Sequence, residues 1–599
     1  MSEFLGLISR SADTERPPIA KFIDRADRIM RERLNCADTK ISRTSRVVLI
    51  CGGDAGIRSG NDDSFVVDNG GHPTIDIESL LNDPPSAIAR VQPPFAVAAG
   101  RNDGTEVDLF TDWMAMQPLY YCDTGNGQFL FATDMRLLMR HPDVDYTPSR
   151  QSLFDFVHFH VIPGPQTVFD RIRKVPPASR LRYRNGSIAV AHYWPAESQA
   201  SSGSIDQLQI DTLLTLQDSV RRNVDPRGPT ACFLSGGLDS STIAGLASRV
   251  TETHAFSIGF DEPGYDEMAY AQIAAAHFGL SHHTYYVSRQ DVHDTLPLVA
   301  AGFGEPFGNL SSIPVFHCAR LAREAGFDTM LAGDGGDELF AGNERYIRQK
   351  LFGHYQRLPG ALRHALEPQC RRLLGSRVRL LRKIGRYVDI AKKDLPARLL
   401  YDFEHFQGYL PQAIFDARFM QHVDTDNPLH VIAAIVERSP DSDLIEQLLW
   451  TDWHLTLADN DLRKVHYMCK AAAIQPRYPM LDMQVIELSR QIPGRQKLTS
   501  TRLRHFYKHA VADLLPQEII DKRKHGFGLP FGEWLRDDPQ LAGLVDESLA
   551  RIRQRGIFND SFIDDCRHNQ QTVHAAYFGS VIGALLLLDL WLEEFQGWL

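Results

Sequence analysis

Residues 230–250 read TACFLSGGLDSSTIAGLASRV, and the seven at 235–241, SGGLDSS, decide the fold. They stand between an apolar run at 230–234, suited to a buried strand, and a helix-forming run at 241–250. Two adjacent glycines let the backbone turn tightly and bring its N–H groups close to a ligand. The hydroxyls of Ser235, Ser240 and Ser241 add donors, and the helix N-terminus adds free N–H groups and positive potential. Together they predict an anion cradle sized for phosphate or pyrophosphate. The G-x-x-x-x-G-K-[ST] pattern and its lysine are missing, so this is not a Walker A loop. Asp239 puts an acid inside an anion site, which makes chemical sense when a cation such as Mg2+ bridges it to phosphate. The bland alternative is an Asp-Ser helix cap after a tight turn.

Beyond the loop, strand and helix alternate. Strands are expected at 253–259, 283–287 and 328–332, with a helix near 267–278, which predicts right-handed βαβ units on a parallel sheet. From about 395 the pattern is mostly helical. Before the loop the rhythm differs: short apolar runs at 46–51, 64–67, 95–99, 107–111, 119–122 and 129–132 are bounded by turn residues. Runs at 180–184 and 187–192 flank Asn185-Gly186, a hairpin signal. A polar stretch at 197–203 (ESQASSG) reads as a linker. The expected division is a layered β domain over 1–197 and an α/β domain with a helical C-terminal part over 204–599.

The chain has 599 residues, 43% hydrophobic and 23% charged, the composition of a globular protein of several domains. A net charge of −11 argues against a general nucleic-acid binder. One segment, 356–393, is basic against that trend. It reads either as a solvated helix face or as a docking patch for an acidic peptide or partner protein. Eight scattered cysteines form no metal-ligand spacing and read as reduced thiols. The opening MSEFLGLISR lacks signal-peptide character, and the longest apolar run, 581–592, contains Asp589 and falls short of the ~20 residues of a membrane span. The expectation is a cytoplasmic protein with no membrane and no nucleic-acid partner.

SGGLDSS resembles the pyrophosphate loop of the ATP pyrophosphatases, and further motifs make the chain similar to the asparagine-synthetase group. FSIGF at 256–260, followed by Tyr265-Asp266-Glu267, resembles that family's adenine-side strand and helix. Glu305-Pro306, with Ser311, Ser312 and Pro314, looks like its EP segment beside the substrate. AGDGGDELFAG at 332–342 is similar to its second acidic loop, RYPMLD at 477–482 to its R-x-P-x-L-D turn, and KRKHGF at 522–527 to its K-x-G-F element. The resemblance implies a doubly wound adenine-nucleotide α-hydrolase-like domain that binds ATP and Mg2+. Leu234, Ser235, Gly236, Gly237, Asp239, Ser240, Ser241, Ser257, Ile258 and Gly333 would hold ATP or pyrophosphate. Asp239 and Asp337 would hold the metal, and Lys524 would be the catalytic lysine. Asp334, at a position where the family usually carries Glu, would take up the amine's proton.

The front domain resembles the glutaminase domain of class II amidotransferases, an N-terminal-nucleophile fold, in Asp112, PLYY at 118–121, FATD at 131–134 and Tyr193-Trp194. That domain uses a cysteine exposed by removal of Met1. Here Ser2 stands in its place, followed by Glu3, with only Asn69-Gly70 left of the glutamine pocket. The full set of losses implies a front domain retained for structure, with a residual hydrolase role for Ser2 as the alternative. A synthetase without glutamine hydrolysis resembles β-lactam synthetases and, most of all, the lasso-peptide isopeptide cyclases. The expected function is therefore adenylation of a peptide carboxylate and its capture by an amine of the same peptide, with a precursor peptide and a leader peptidase as partners. The alternatives are an asparagine synthetase using ammonia and a scaffold that binds ATP without chemistry. In DLRKVHYMCK, at 461–470, His466 and Tyr467 replace a family Asp-Arg. Either helix packing or the substrate pocket has changed there.

Overall fold

The computed structural model describes residues 2–10, 14, 17–32, 34, 36, 38–59, 64–70, 79–80, 83–88, 91, 93–194, 203–376, 378–403, 409–439, 443–524, 526 and 528–596. The expected linker, apart from Gly203, lies outside the described residues, as do Arg377, His525 and Phe527.

The front of the chain forms twelve strands: β1 (Glu3–Ser9), β2 (Lys40–Arg43), β3 (Val47–Gly52), β4 (Gly56–Ser59), β5 (Ser64–Asp68), β6 (Ala96–Arg101), β7 (Glu106–Thr111), β8 (Tyr120–Asp123), β9 (Gln128–Ala132), β10 (Arg173–Lys174), β11 (Ser179–Arg184) and β12 (Ser187–His192). They make two antiparallel six-stranded sheets, in the orders β10-β8-β9-β1-β3-β2 and β12-β11-β7-β6-β5-β4. Phe4, Ile8, Leu49, Phe129 and Phe131 from the first sheet meet Phe65, Val67, Leu109 and Tyr183 from the second in one buried layer. Asn185 (φ 50°) and Gly186 (φ 89°) both take positive φ in the β11–β12 turn, as the sequence predicts.

The sequence reading misses β1. Its Phe4 and Ile8 face the other sheet, while Leu5 and Leu7 face α1 (Pro17–Glu32) with Phe22, Ile23 and Met30. A strand buried on both faces shows no apolar–polar alternation, so its period is silent in the sequence.

The second part carries a parallel sheet of β13 (Thr230–Phe233), β14 (Thr253–Gly259), β15 (Ser281–Tyr286), β16 (Thr329–Leu331) and β17 (Gln475–Arg477), in the order β15-β14-β13-β16-β17. The chain winds outward from β13 in one direction and then, through β16, in the other. The carboxyl ends of β13 and β16 therefore border the crevice where doubly wound sheets bind ligands.

Around this sheet lie α2 (Ile205–Asn223), α3 (Leu238–Ala247), α4 (Met268–Phe278), α5 (Glu344–Gln356), α6 (Gly360–Leu373), α7 (Arg379–Ala391), α8 (Leu462–Ala471), α9 (Met483–Gln491), α10 (His505–Ala510) and α11 (Ala575–Gln596). By length and composition, residues 575–595 of α11 form a helix able to cross a membrane, longer than the 581–592 run suggests; 72% of its apolar window is buried in the fold. Its Asp589 is fully buried and accepts from Arg551, with nitrogen–oxygen distances of 2.7 and 2.9 Å.

The two parts are locked together by buried polar contacts. Lys470 of α8 pairs with Glu3 of β1 and sits 3.5 Å from Asp134. Trp113 donates its indole N–H to the carbonyl of Leu481 at 2.9 Å. Removing one member of a buried pair leaves its partner uncompensated, a loss of order 3 kcal/mol. Glu3→Ala should therefore lower the thermal unfolding midpoint clearly, and the double substitution Glu3→Ala/Lys470→Met should recover most of that loss. Additive losses in unfolding scans would show that the pair does not couple the two parts.

Candidate active site

The cradle is built as its residue types demand, with one shift. The helix begins at Leu238, three residues earlier than expected, and Gly237 is its N-cap in extended backbone (φ −82°, ψ 165°) with no side chain capping it. Asp239, Ser240 and Ser241 therefore lie in the first helical turn. Gly236 has φ +65°, and a Cβ there would come within 2.4 Å of the Ala271 nitrogen of α4. The turn thus needs glycine for both conformation and space. Ser235 and Ser240 hold each other at 3.1 Å between hydroxyls, and Gly237 N–H donates to the Ser235 hydroxyl at 3.3 Å.

The loop after β16 closes on the cradle. A Cβ on Gly333 would approach the Ser240 nitrogen to 2.8 Å, and one on Gly336 would approach an Asp239 carboxylate oxygen to 2.2 Å. These glycines allow the two acidic loops to meet. Between them opens a cleft of about 1180 Å³ whose wall includes Leu234, Ser235, Gly237, Asp239, Ser240 and Ile258. Gly333, Asp334, Asp337 and Lys524 line it too.

Three expected ligands are not on this wall. Ser241 is fully buried; its N–H donates to Gly237 at 3.1 Å and its hydroxyl points into the core. Ser257 is also buried, its hydroxyl given to the Leu234 carbonyl at 2.5 Å. Gly236 supports the turn from behind. The early helix start explains Ser241, because one more helical residue rotates its side chain away from the loop.

Asp239 and Asp337 converge on one guanidinium. Arg504 donates to Asp239 at 2.7 Å and pairs with Asp337, which also pairs with Lys524. Burial pushes the Asp239 carboxyl above its ordinary range, against the pull of Arg504. Arg504 itself adopts left-handed backbone (φ +54°), its N–H donating at 3.2 Å to Ala341, which is also left-handed (φ +59°). Two non-glycine residues held this way are a local strain of the kind found at functional sites.

The sequence reading names neither Arg504 nor Lys522. The Lys522 ammonium pairs with Glu267 at 3.1 Å and donates at 3.3 Å to the carbonyls of Ser235 and Gly236, pinning the cradle from the rim. The available signal was the density of bases at 502–509, read only as part of a helical stretch.

On the opposite wall Asp461 and Lys464 pair at 2.7 Å, at the junction of a π-helical segment (Trp453–Asp461) with α8. Burial pushes the Asp334 carboxyl up to about 6, against the pull of Lys464. Among the described residues no cluster of three or more His, Cys, Asp or Glu side chains forms a metal site. Two carboxylates facing a phosphate cradle nonetheless fit Mg2+, which takes few protein ligands and completes its shell with phosphates and water.

Other family-like positions serve packing. Asp482 caps α9 through Gln484 N–H at 2.9 Å and accepts from Arg222 of α2 at 2.7 Å. Glu305, expected beside the substrate, is instead fully buried between the two parts, with Lys174 at 2.9 Å and Arg463 at 2.5 Å. His466 and Tyr467 are absent from the cleft wall. Tyr467 bonds Tyr120 of β8, hydroxyl to hydroxyl, at 3.1 Å, and burial pushes the His466 imidazole down to about 3. Both therefore serve packing, Tyr467 at the contact with the front domain, rather than the cleft.

A glycine turn at a helix N-terminus, paired acids and a cationic rim at the switch point of a parallel sheet suit a nucleotide-dependent enzyme. The asparagine synthase family profile matches residues 212–593, and a glutamine amidotransferase domain profile matches 82–194. The chain belongs to the asparagine synthase family, whose members are ATP-dependent, AMP-forming carbon–nitrogen ligases. It is 26% identical to asparagine synthetase [glutamine-hydrolyzing] 1 of Bacillus subtilis, over 73% of this chain and 68% of that one. It is also 26% identical to a putative asparagine synthetase of Mycobacterium tuberculosis, over 75% and 69%. With asparagine synthetase B of Escherichia coli it shares 22% over 43% and 44%.

The glycine geometry yields a paired test. Gly236→Ala should lower stability and weaken ATP binding at least tenfold (about 1.4 kcal/mol). Gly237→Ala, whose Cβ would meet only the Ser235 hydroxyl at 3.2 Å, should change binding less than threefold. Equal effects in a nucleotide titration would contradict the assignment of Gly236 as the constrained position.

Proposed function

We propose that this ligase adenylates a carboxylate of a peptide and captures it with an amine of the same peptide, as a lasso-peptide isopeptide cyclase does. The observation that carries the reading is at the front domain's first strand. Ser2 occupies the position of the glutaminase cysteine, and the next residue, Glu3, is buried in an ion pair with Lys470 of the synthetase part. A chain that releases no ammonia from glutamine needs another amine, and a substrate that carries its own amine supplies it.

The chemistry follows from the cleft. A carboxylate oxygen attacks the α-phosphorus of ATP, the bond to the β-phosphate breaks, and pyrophosphate leaves into the cradle of Ser235, Gly237 and Ser240. Asp239 and Asp337 would hold Mg2+, which neutralises charge on the pyrophosphate. Lys524, paired with Asp337, stabilises charge developing near the α-phosphate. The amine then attacks the acyl carbon, its proton passes to Asp334, and AMP departs. The reading includes a cytoplasmic location, supported by eight unpaired cysteines. The names of the relatives favour a second reading, asparagine synthesis from aspartate and ammonia.

Pyrophosphate release separates the two. Stimulation by aspartate with ammonium alone supports the second reading, and stimulation by a peptide alone the first. Lys524→Ala should abolish release while ATP affinity stays within tenfold, and Ser2→Ala should leave product formation unchanged; a large loss with Ser2→Ala would restore a role for the hydroxyl. Asp334 must be ionised to accept a proton, and its carboxyl titrates at about 6. Asp334 should therefore contribute a limb to the pH–rate profile of amide formation that falls about tenfold per unit below about pH 6, separate from the ionisation of the attacking amine. Asp334→Asn should remove this limb from the pH–rate profile.

A further inference from the structure

The hairpin of α6 and α7 joins the rest of the molecule through one end of α7 and α5. No residue of the fourteen in α6 is buried. In α7, residues 380, 384, 388 and 391 fall on one stripe, spaced by four, four and three. Its C-terminal half, Val388 and Ala391, is buried with Phe352 and Tyr355 of α5 in a cluster separate from the main core. Its N-terminal half lies open: Leu380 is 66% exposed and Ile384 41%, with Val378 (56%) and Leu381 (37%) beside them. The stripe thus runs off its own core, and among the described residues its N-terminal half stays exposed.

Charge tells what would cover it. Residues 356–393 carry eleven basic and two acidic side chains, a local +9 in a chain whose total is −11. A Cβ on Gly385 would lie 2.8 Å from the Cys370 carbonyl, so the end of α6, which carries Arg371 and Arg372, packs against α7, which carries Arg382 and Lys383. None of these four forms an ion pair among the described residues, although the chain has an excess of acid elsewhere. An apolar stripe bordered by unpaired bases complements an acidic amphipathic helix.

We propose that this hairpin docks an acidic amphipathic helical segment of the peptide substrate, remote from its reacting end. The proposal rests on the peptide reading for its choice of occupant. Geometry favours the substrate over an unrelated partner. Helix α5 runs from the cleft, where Asn343, Glu344 and Ile347 line the wall, to the cluster under α7. Thirteen residues span about 20 Å, a gap that roughly six extended residues bridge. A segment held on the hairpin would thereby raise the local concentration of the reacting end at the cradle.

The test uses the full-length chain and a fluorescein-labelled sixteen-residue Leu/Glu amphipathic helix as probe, followed by anisotropy without ATP. The expected result is saturable binding, at least tenfold tighter than that of a scrambled peptide of the same composition. It should weaken tenfold or more in Leu380→Ser/Ile384→Ser and in Arg371→Glu/Arg372→Glu/Lys383→Glu, with ATP affinity unchanged in both. Equal binding of the scrambled peptide, or no loss in either variant, overturns the proposal. Sedimentation of the chain with 3:1 phosphatidylcholine–phosphatidylglycerol vesicles that the probe does not displace also overturns it, in favour of a membrane surface. Pyrophosphate release is read separately, so a chain that ligates a peptide yet ignores the probe loses the docking surface alone.

Discussion

Glu305 is the carboxylate on which the rest of the assembly depends. It is fully buried where the β-sandwich meets the parallel-sheet part, accepting from Val168 N–H at 3.2 Å and from the side chains of Lys174 and Arg463. Burial alone would raise its pKa, but the two cations outweigh that and hold it below the ordinary glutamate range. Lys174 comes from the front part and Arg463 from α8, so one ionised oxygen ties the two. A charge this deep persists only because every partner is in place. That requirement fixes α8 in rotation as well as in position.

The consequence reaches the cleft. One face of α8, through Arg463, Tyr467 and Lys470, is held by Glu305, Tyr120 and Glu3. The other presents Lys464 and Val465 to the nucleotide cleft, next to Asp461. Lys464 draws the Asp334 carboxyl down while burial pushes it up, to about 6. The front sandwich therefore sets, through one helix, the electrostatics around a group 130 residues or more from its own sequence. A helix entered through a nine-residue π-helical segment is suited to this, since the wider turn re-aims the side chains that follow.

Much of the fold was legible because local sequence and tertiary demand agree. The glycine turn after 230–234, the Asn185-Gly186 hairpin and the strand–helix alternation from 253 to 332 each need their residue types wherever they occur. What stayed hidden was context. β1 is buried on two faces and carries no period. β17, three residues with Pro476 at its centre, is a strand only because β16 offers it a partner. Helix α11 outruns its apolar core because its ends are covered by neighbouring helices. In the site, the acids and glycines were readable since an anion loop has few chemical solutions. Arg504 was not. Its role arises from a left-handed turn that no motif announces, and its guanidinium reaches both acids only after the chain has folded back across more than 160 residues. Ser241 and Ser257 misled for the converse reason: a hydroxyl in a motif looks alike in sequence whether it faces ligand or core.

On the proposed reading, the same contacts give a front domain without glutaminase chemistry a reason to be kept. The buried charges at the seam have a structural use that does not depend on ammonia supply, since unpaired they would cost the most. Glu3, the residue after Ser2, is among the most buried carboxylates of the described residues and is satisfied by both Lys470 and the Thr133 hydroxyl at 2.6 Å. Tyr467, which departs from the family pattern, faces this seam and bonds Tyr120 across it. On the proposed reading the sandwich has moved from supplying a reactant to supplying a shape: it holds α8, α8 holds Lys464, and Lys464 holds Asp334 at a pKa from which it can accept the proton of an amine that the substrate brings itself.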